Sequence, residues 1–365
     1  MKKYIFLLVF LFNPLVAFAS DVTLLATGDI LPQASWSKFC IPESKLLKDV
    51  TTTLFGADVV IGNLETPLTN NKDVTPSKDP DAIKDGKDFV FKCTSAKTAR
   101  DLKDAGFTAL TLANNHMMDY NGEGLSNTLA KLKKAGVLTA GAGKNIDEAE
   151  KPCVIKAGGM KFIIFSASDV IPKDYDATPT RAGIASIKDD SGMLANIVTA
   201  REKNPDAVIV LCLHWGVEAT FAPTARQQRL AHDFIDAGAD LILGSHPHRI
   251  QGVEYYKGRP IFYSLGNFQF DCKSPGNETF IAKAVYKDGN PVPAEVSIMP
   301  VFIGKGGYPT VLDESDPEYK AITDRYDDIA NQLGTKLDGE KVVPLPPPDN
   351  DLVPEGESPG DYSIN

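Results

Sequence analysis

"DLILGSHPHRIQG", residues 240–252, joins a short apolar run to two histidines. The uninterrupted apolar run is typical of a strand that is covered on both faces, as in the sheets of α/β proteins. His246 and His248 follow at its carboxyl end, where the loops of such sheets converge and ligands bind. The chain has only five histidines, so two of them at one strand end indicate a functional site.

Six other apolar runs have the same character, and helical patterns lie between several of them. The runs are 22–28, 57–63, 107–113, 161–167, 207–213 and 260–266. Three helical patterns end at Gly106, Gly136 and Gly238, and a glycine just past the last apolar turn is the usual helix stop. The alternation predicts an α/β protein whose strands are covered by helices.

Polar side chains that suit metals follow most of these strands. They are Asp29, Asn63, Glu65, Asn114, Asn115, His116, Asp119, His214, Glu218, His246, His248 and Asn267. Imidazole and carboxylate groups are ligands of divalent transition metals, so the pattern predicts a metal site. An extended segment from His246 to His248 would point both rings to the same side. The alternative is a set of hydrogen-bonded loop histidines.

The fifth histidine and one aromatic residue have simpler interpretations. His232 lies in the middle of a helical pattern with apolar neighbours, which predicts a packed or surface helix residue. Trp215 follows His214 and is expected either to pack against the wall of the site or to stack on a substrate.

Six short motifs occur in an order that resembles a known family. They are "TGDILP", "GNLETPL", "NNHMMD", "HWGVE", "GSHPH" and "YSLGNF". Together they resemble the CapA family, also called the poly-γ-glutamate capsule domain, of the calcineurin-like metallophosphoesterase superfamily. The resemblance extends over residues 22–303. It implies a four-layer α-β-β-α sandwich with a site for one or two divalent ions (Mn, Fe or Zn) between the strand ends.

The resemblance also implies roles for individual residues. His116 would serve the leaving group, and Asp119 would hold His116 in its working tautomer. The candidates for substrate binding are Asn63, Glu218, Arg249 and Asn267; Glu218 is alternatively a hydrogen-bond acceptor behind the metal ligands or a solvated loop residue. The implied metal ligands are Asp29, Glu65, Asn115, His214, His246 and His248.

Two positions depart from the superfamily pattern. Asp29 is followed by Ile30 and Leu31, so the usual Asp-x-His pair lacks its histidine. Asn63 stands where a bridging aspartate is usual, and Glu65, two residues later, is expected to replace it as a ligand. These departures argue against ordinary phosphatase activity.

The first twenty residues, "MKKYIFLLVFLFNPLVAFAS", have the form of a secretory signal peptide. A basic start, a short apolar core and a small-x-small cut site are its features. We expect cleavage after Ala19 and a secreted or periplasmic protein. The alternative is an uncleaved anchor, but Asn13 and Pro14 interrupt the apolar run, which is shorter than the ~20 residues that span a bilayer.

The remaining chain is expected to form one large domain, 20–305, and a peripheral segment, 306–365, that ends in a flexible tail rich in proline and acidic residues. Residues 70–92 are interpreted as an insertion loop. Among the five cysteines, Cys212 lies in an apolar run and is predicted to be a buried thiol. One or two disulfides are expected among the other four.

Composition and motifs limit the classes of function. A net charge of −10 without basic clusters argues against nucleic-acid binding. No Gly-x-Ser-x-Gly or P-loop motif occurs, which argues against a serine hydrolase or a nucleotide binder. The first hypothesis is a metal-dependent hydrolase of phosphoester or amide bonds. The second is a non-catalytic export or assembly factor that binds an anionic polymer, working with envelope polymer-synthesis machinery.

Overall fold

The computed structural model describes residues 21–32 and 47–346. Within these ranges the strands, in chain order, are β1 (Val22–Ile30), β2 (Val59–Leu64), β3 (Ala109–Thr111), β4 (Leu138–Ala140), β5 (Ala142–Gly143), β6 (Cys153–Ala157), β7 (Met160–Ser168), β8 (Gly183–Ile184), β9 (Val208–His214), β10 (Leu241–Ser245), β11 (Val253–Tyr256), β12 (Arg259–Phe262), β13 (Asn267–Gln269), β14 (Glu278–Tyr286), β15 (Glu295–Gly304), β16 (Tyr308–Val311), β17 (Thr335–Asp338) and β18 (Lys341–Pro344). The helices are α1 (Lys48–Phe55), α2 (Pro80–Lys84), α3 (Thr98–Asp104), α4 (Asn121–Ala135), α5 (Ile146–Ala149), α6 (Ser191–Lys203), α7 (Ala225–Asp236) and α8 (Pro317–Ala330).

Local sequence signals set the ends of the long helices. α4 ends at Gly136, which takes the left-handed conformation (φ 78°) that glycine adopts without a steric cost. α7 begins with a capping box, in which the Thr224 side chain and the Gln227 side chain each bind the other residue's backbone N–H. The predicted helix stops therefore agree with the structure.

Two large sheets form the centre of the molecule. The first has ten strands, in the order β17-β18-β15-β14-β1-β2-β3-β4, with β13 beside β1 and β16 beside β15. The second has six strands, in the order β11-β12-β10-β9-β7-β6. In the first sheet β1, β2 and β3 are parallel, and in the second β7, β9 and β10 are parallel. Each sheet thus has an edge at which several strands end together.

Alternating side chains connect each sheet to the other sheet on one face and to helices on the other. Leu24 of β1 and Phe162 of β7 belong to the core between the sheets. Leu25 packs instead with α1, α3 and α4, and Ile163 packs with α6 and α7. This period-two pattern gives helix, sheet, sheet and helix layers. The predicted α/β fold and its four-layer α-β-β-α arrangement are confirmed.

The described part of the predicted peripheral segment, residues 306–346, is built into the first sheet. β16 and β18 pair with β15, and β17 pairs with β18. Tyr326 of α8 is fully buried in the core between the sheets. The description as peripheral is therefore wrong for this part, because α8 buries an apolar face with helical spacing. The predicted flexible tail, residues 342–365, begins inside β18 (Lys341–Pro344), so its first residues pair in the sheet. Residues 347–365 lie outside the described residues, as does the predicted signal peptide.

The described cysteines are thiols. Cys93, Cys153, Cys212 and Cys272 are free, so the expected disulfides are not found among them; Cys40 lies outside the described residues. Cys212 is buried in the core between the sheets, as predicted. Within residues 21–32 and 47–346, none of the helices has both the length and the apolar character needed to cross a bilayer.

Candidate metal centre

The register of the strands places the polar residues of the first sheet side by side. Asp29 of β1 lies beside Asn63 of β2 on one side and beside Asn267 of β13 on the other. In the second sheet, His214 of β9 lies beside Ser245 of β10. The backbone N–H of the next residue, His246, lies 3.3 Å from Asp29 Oδ2 and donates to it. The carboxyl ends of strands from both sheets therefore meet at one place.

Glu65 lies at the centre of this place and is fully buried. Its backbone N–H donates to the Ile30 carbonyl, which fixes the residue just past the end of β2. Neither carboxylate oxygen has a hydrogen-bond partner among the described residues. A buried carboxylate without partners is costly by several kcal/mol, so this side chain requires a proton or a cation.

One ring nitrogen of His214 faces Glu65, and the other is hydrogen-bonded to a neighbouring side chain. Nε2 lies 3.6 Å from Glu65 Oε1 and 2.8 Å from Asn115 Oδ1. Nδ1 lies 3.0 Å from the Ser245 hydroxyl. Metal-binding histidines usually have the second nitrogen held by such a polar partner, which fixes the ring.

His248 follows the same arrangement from the opposite side. Its Nε2 lies 3.7 Å from Glu65 Oε1. Its Nδ1 lies 2.8 Å from Asn267 Oδ1 and 3.2 Å from Asp29 Oδ2. The Asn267 amide is held in turn by its N–H bond to the Gly276 carbonyl, 2.8 Å away.

The His246–His248 segment is not extended, so that expectation is wrong. β10 ends at Ser245, and both histidines have positive φ, 96° and 53°. Residues other than glycine adopt this region at a cost and mostly where the surroundings impose it, often at functional sites. The two rings are nevertheless only 6.0 Å apart, and the His246 and His214 rings are 4.8 Å apart. His246 Nδ1 is buried and has no partner among the described residues.

Three groups of side chains place their ligand atoms within 4.8 Å of one another. The groups are Glu65, His214 and His246; Asp29, Glu65 and His248; and Glu218, His246 and His248. Glu65 belongs to two of them, so its two oxygens can serve two neighbouring positions. Nitrogen and carboxylate oxygen donors of this kind suit divalent transition metals.

Burial and charge shift the pKa values of these groups in different directions. Burial, with repulsion from the neighbouring histidines, lowers the pKa of His214 well below its usual value and that of His246 to about 4. Both rings are therefore neutral at pH 7, the form that binds metals.

Glu65 and His248 affect each other's protonation. Burial and the Asp29 charge raise the pKa of Glu65 well above its usual value. Burial opposes a charge on His248, but attraction by Glu65 and a bond to Asp29 raise its pKa to about 10.

His116 lies beside this cluster and is held by Asp119. Its Nδ1 is 2.9 Å from Asp119 Oδ2. An ionised carboxylate only accepts, so Nδ1 carries the hydrogen and Nε2 is left to exchange a proton. The Phe91 backbone N–H also donates to Asp119 Oδ2, at 2.7 Å, and the Phe91 ring lies 4.1 Å from the His116 ring.

The other oxygen of Asp119 is held by residues that the sequence did not identify. The Tyr175 hydroxyl donates to Asp119 Oδ1 at 2.7 Å, and Lys78 Nζ lies 3.9 Å from the same oxygen. Asn114 was given no role from the sequence, and the structure shows that its amide donates to Asn63 Oδ1 at 3.1 Å. Asn114 stood among the polar residues after a strand, which was a usable signal, whereas Tyr175 and Lys78 lie in segments without periodic pattern.

The four residues assigned to substrate binding have different surroundings. The Asn63 amide is fully engaged, donating to Asp29 Oδ1 at 2.8 Å and accepting from Asn114 and Thr111. Asn267 is likewise buried and engaged by His248. Both are therefore placed to position other residues rather than to contact a substrate.

Arg249 and Glu218 lie nearer the solvent. Arg249 is half-buried and donates to the His248 carbonyl at 2.7 Å. Glu218 is exposed and faces His246 and His248. Outside the site, Trp215 is fully buried with its indole N–H bound to the Tyr263 carbonyl, and His232 binds Glu254.

An α-β-β-α sandwich with histidines and carboxylates at the meeting strand ends is the arrangement of the metallophosphoesterase-like class. Residues 23–272 match the family model described as "Bacterial capsule synthesis protein PGA_cap". The chain belongs to this family. The resemblance found in the six sequence motifs is thereby confirmed.

Two relatives carry related names. The chain is 35% identical over 216 residues to "PGA biosynthesis protein CapA" of Bacillus subtilis, covering 59% of this chain and 54% of that protein. It is 34% identical over 226 residues to "Capsule biosynthesis protein CapA" of Bacillus anthracis, covering 60% and 55%. The match therefore spans about half the length of these curated relatives.

Solved structures give weaker likenesses. A hypothetical protein from Thermus thermophilus has a TM-score of 0.49 at 14% identity, covering 76% of this chain and 98% of that one. A putative 5'-nucleotidase from Staphylococcus aureus also has 0.49, at 15% identity, covering 85% and 58%. Since both scores are below 0.5, the fold is established by the topology of the two sheets alone.

Proposed function

We propose that this chain is a secreted or periplasmic hydrolase that depends on divalent metal ions. It acts on phosphoester or amide bonds during synthesis of an extracellular anionic polymer of the poly-γ-glutamate type. Family membership and the names of the Bacillus relatives support the polymer. The observation that carries the chemistry is Glu65, a buried carboxylate that has no hydrogen-bond partner among the described residues and lies beside the neutral rings of His214 and His246.

The residues present fit a divalent ion. Glu65, Asn115, His214 and His246 would hold one ion, and Asp29, Glu65 and His248 would hold a second. The Nδ1 atoms of His214 and His248 each have a polar partner, as the second nitrogen of a metal-binding histidine usually does. In such sites metal ions polarise a substrate oxygen and lower the pKa of bound water. Mn, Fe and Zn all accept this donor set.

His116 supplies the proton in this proposal. Asp119 fixes the ring through Nδ1, so the protonated Nε2 donates to the leaving group and recovers its proton from water. A positioned general acid of this kind contributes roughly 10²–10⁴-fold to the rate. Arg249 is the nearby cation available to an anionic substrate.

A second candidate function, polymer binding without catalysis, is favoured by the state of Asp29. Oδ1 accepts from Asn63, and Oδ2 accepts from the His246 backbone and lies 3.2 Å from His248. A carboxylate with both oxygens engaged is a weaker ligand for a second ion. A single-ion site would still attract an anionic polymer.

The test combines metal analysis with turnover. Wild-type protein loaded with Mn²⁺ would be assayed on bis-p-nitrophenyl phosphate and on a γ-linked glutamate oligomer. We expect His246→Ala to lose both metal and turnover. His116→Ala should keep its metal and lose roughly 10²–10⁴-fold in kcat.

His232→Ala is the matched control, since His232 binds Glu254 away from the site. It should retain both metal and turnover. Wild-type protein that holds metal and binds the polymer, but turns over neither substrate, would favour the second function. Protein that takes up no metal and is inert would refute the hydrolase.

A further inference from the structure

We propose that Glu218 is an additional metal ligand, closing the metal centre on its solvent side. This inference rests on the proposed function, because it requires a metal at the site. From the sequence, Glu218 was one of several polar residues that follow a strand, and it was assigned to substrate binding rather than to the metal. The geometry does, since its carboxylate oxygen and the ligand nitrogens of His246 and His248 all lie within 4.8 Å of one another.

The backbone holds Glu218 toward the histidines. The next residue, Ala219, has φ 60°, a region that residues with side chains adopt at a cost. Its N–H donates to the Pro247 carbonyl at 2.8 Å. Pro247 lies between the two histidines, so this bond fastens the Glu218 loop directly onto the segment that carries both rings.

His246 provides an independent indication that a ligand belongs here. The side chain is 4% exposed, and its Nδ1 has no partner among the described residues. A buried ring nitrogen without a partner is uncommon in folded proteins, because its desolvation is not repaid. An ion between His246 and Glu218 would supply the missing interaction.

Charge balance points the same way. Two divalent ions carry four positive charges, and Asp29 and Glu65 supply two negative charges between neutral histidines. Glu218 would supply a third, leaving one for the anionic substrate.

The test is calorimetric titration of the full chain with Mn²⁺, comparing Glu218→Gln with wild type. Gln keeps the shape and removes the charge. We expect at least about a tenfold loss of affinity for one Mn²⁺, the scale on which even outer partners of metal sites act. The Co²⁺-loaded variant should also show a changed d–d absorption spectrum. Because Glu218 is exposed, the metal-free Glu218→Gln protein should have the same free energy of unfolding as metal-free wild type.

Glu202 is an exposed glutamate on α6, so Glu202→Gln is the matched control. It should bind Mn²⁺ with wild-type affinity. If Glu218→Gln also titrates as wild type while Glu65→Gln loses its metal, the Glu218 assignment is wrong and the proposed metal centre stands. If wild-type protein takes up no Mn²⁺ or Co²⁺, the metal centre itself is wrong, and the Glu218 assignment with it.

Discussion

Two buried carboxylates in the site have opposite surroundings, and this difference separates their roles. Both oxygens of Asp119 are engaged, one by Tyr175 and the other by His116 and Phe91. Neither oxygen of Glu65 has a hydrogen-bond partner within residues 21–32 and 47–346. A satisfied carboxylate stabilises the arrangement around it, whereas an unsatisfied one favours the uptake of a cation. Asp119 therefore positions His116, and Glu65 is available to a metal.

Tyr175→Phe tests the positioning role of Asp119. The change removes the hydroxyl that donates to Asp119 Oδ1 and keeps the buried ring. Hydrogen bonds to charged groups contribute about 1.5–3 kcal/mol, so the free energy of unfolding should fall by about that amount. Urea denaturation measures it, and metal content should not change.

Tyr256→Phe is the control, because its hydroxyl lies 3.3 Å from the exposed Asp236. The free energy of unfolding of Tyr256→Phe should equal that of the wild-type protein. Equal stability of the Tyr175→Phe and Tyr256→Phe proteins would show that the Tyr175 hydroxyl does not hold Asp119.

At the scale of elements, the site depends on where strands end. Register sets Asp29 beside Asn63 and Asn267, so a slip of one residue would turn these side chains to the opposite face. Close approach of the chain after β12 to β1 maintains this register. The Asp29 N–H donates to the Gly266 carbonyl at 3.0 Å.

Gly28→Ala tests this close approach. A Cβ on Gly28 would lie 2.0 Å from the Gly266 carbonyl oxygen, so β1 and the segment leading to β13 would have to separate. Overpacking of this kind costs about 1–3 kcal/mol or more. We expect lower stability in urea and weaker Mn²⁺ binding, since Asp29 and Asn267 move apart.

Gly56→Ala is the matched control, because its nearest neighbours would lie 3.5 Å from the new Cβ and its φ is −76°. It should change neither property. A Gly28→Ala protein with wild-type stability and metal affinity would show that the register does not depend on this contact.

The strands and long helices could be predicted from the sequence because their apolar periodicity and glycine stops are local signals. The conformation of His246 to His248 could not, because positive φ at a histidine is imposed by surrounding structure. The buried packing of α8 was also missed, although Ile322, Tyr326 and Ile329 have helical spacing.

At the scale of the whole molecule, the site exists because two sheets bring distant segments together. Asp29 and His246 are 217 residues apart in sequence and in contact in the fold. The positions of the strand ends predicted which residues would lie close together. The family resemblance predicted that they would surround a metal ion. The contributions of Tyr175 and Lys78 could not be predicted, because tertiary packing alone brings their loops to Asp119.

The central claim is that Glu65 and the neighbouring histidines hold a divalent ion. Crystals of the Mn²⁺- or Zn²⁺-loaded protein, measured at the absorption edge of the metal, test it most directly. We predict an anomalous peak about 2.0–2.2 Å from a Glu65 oxygen and from ring nitrogens of His214 and His246. A map without a peak there, with Glu65 bonded to a protein group instead, would contradict the claim.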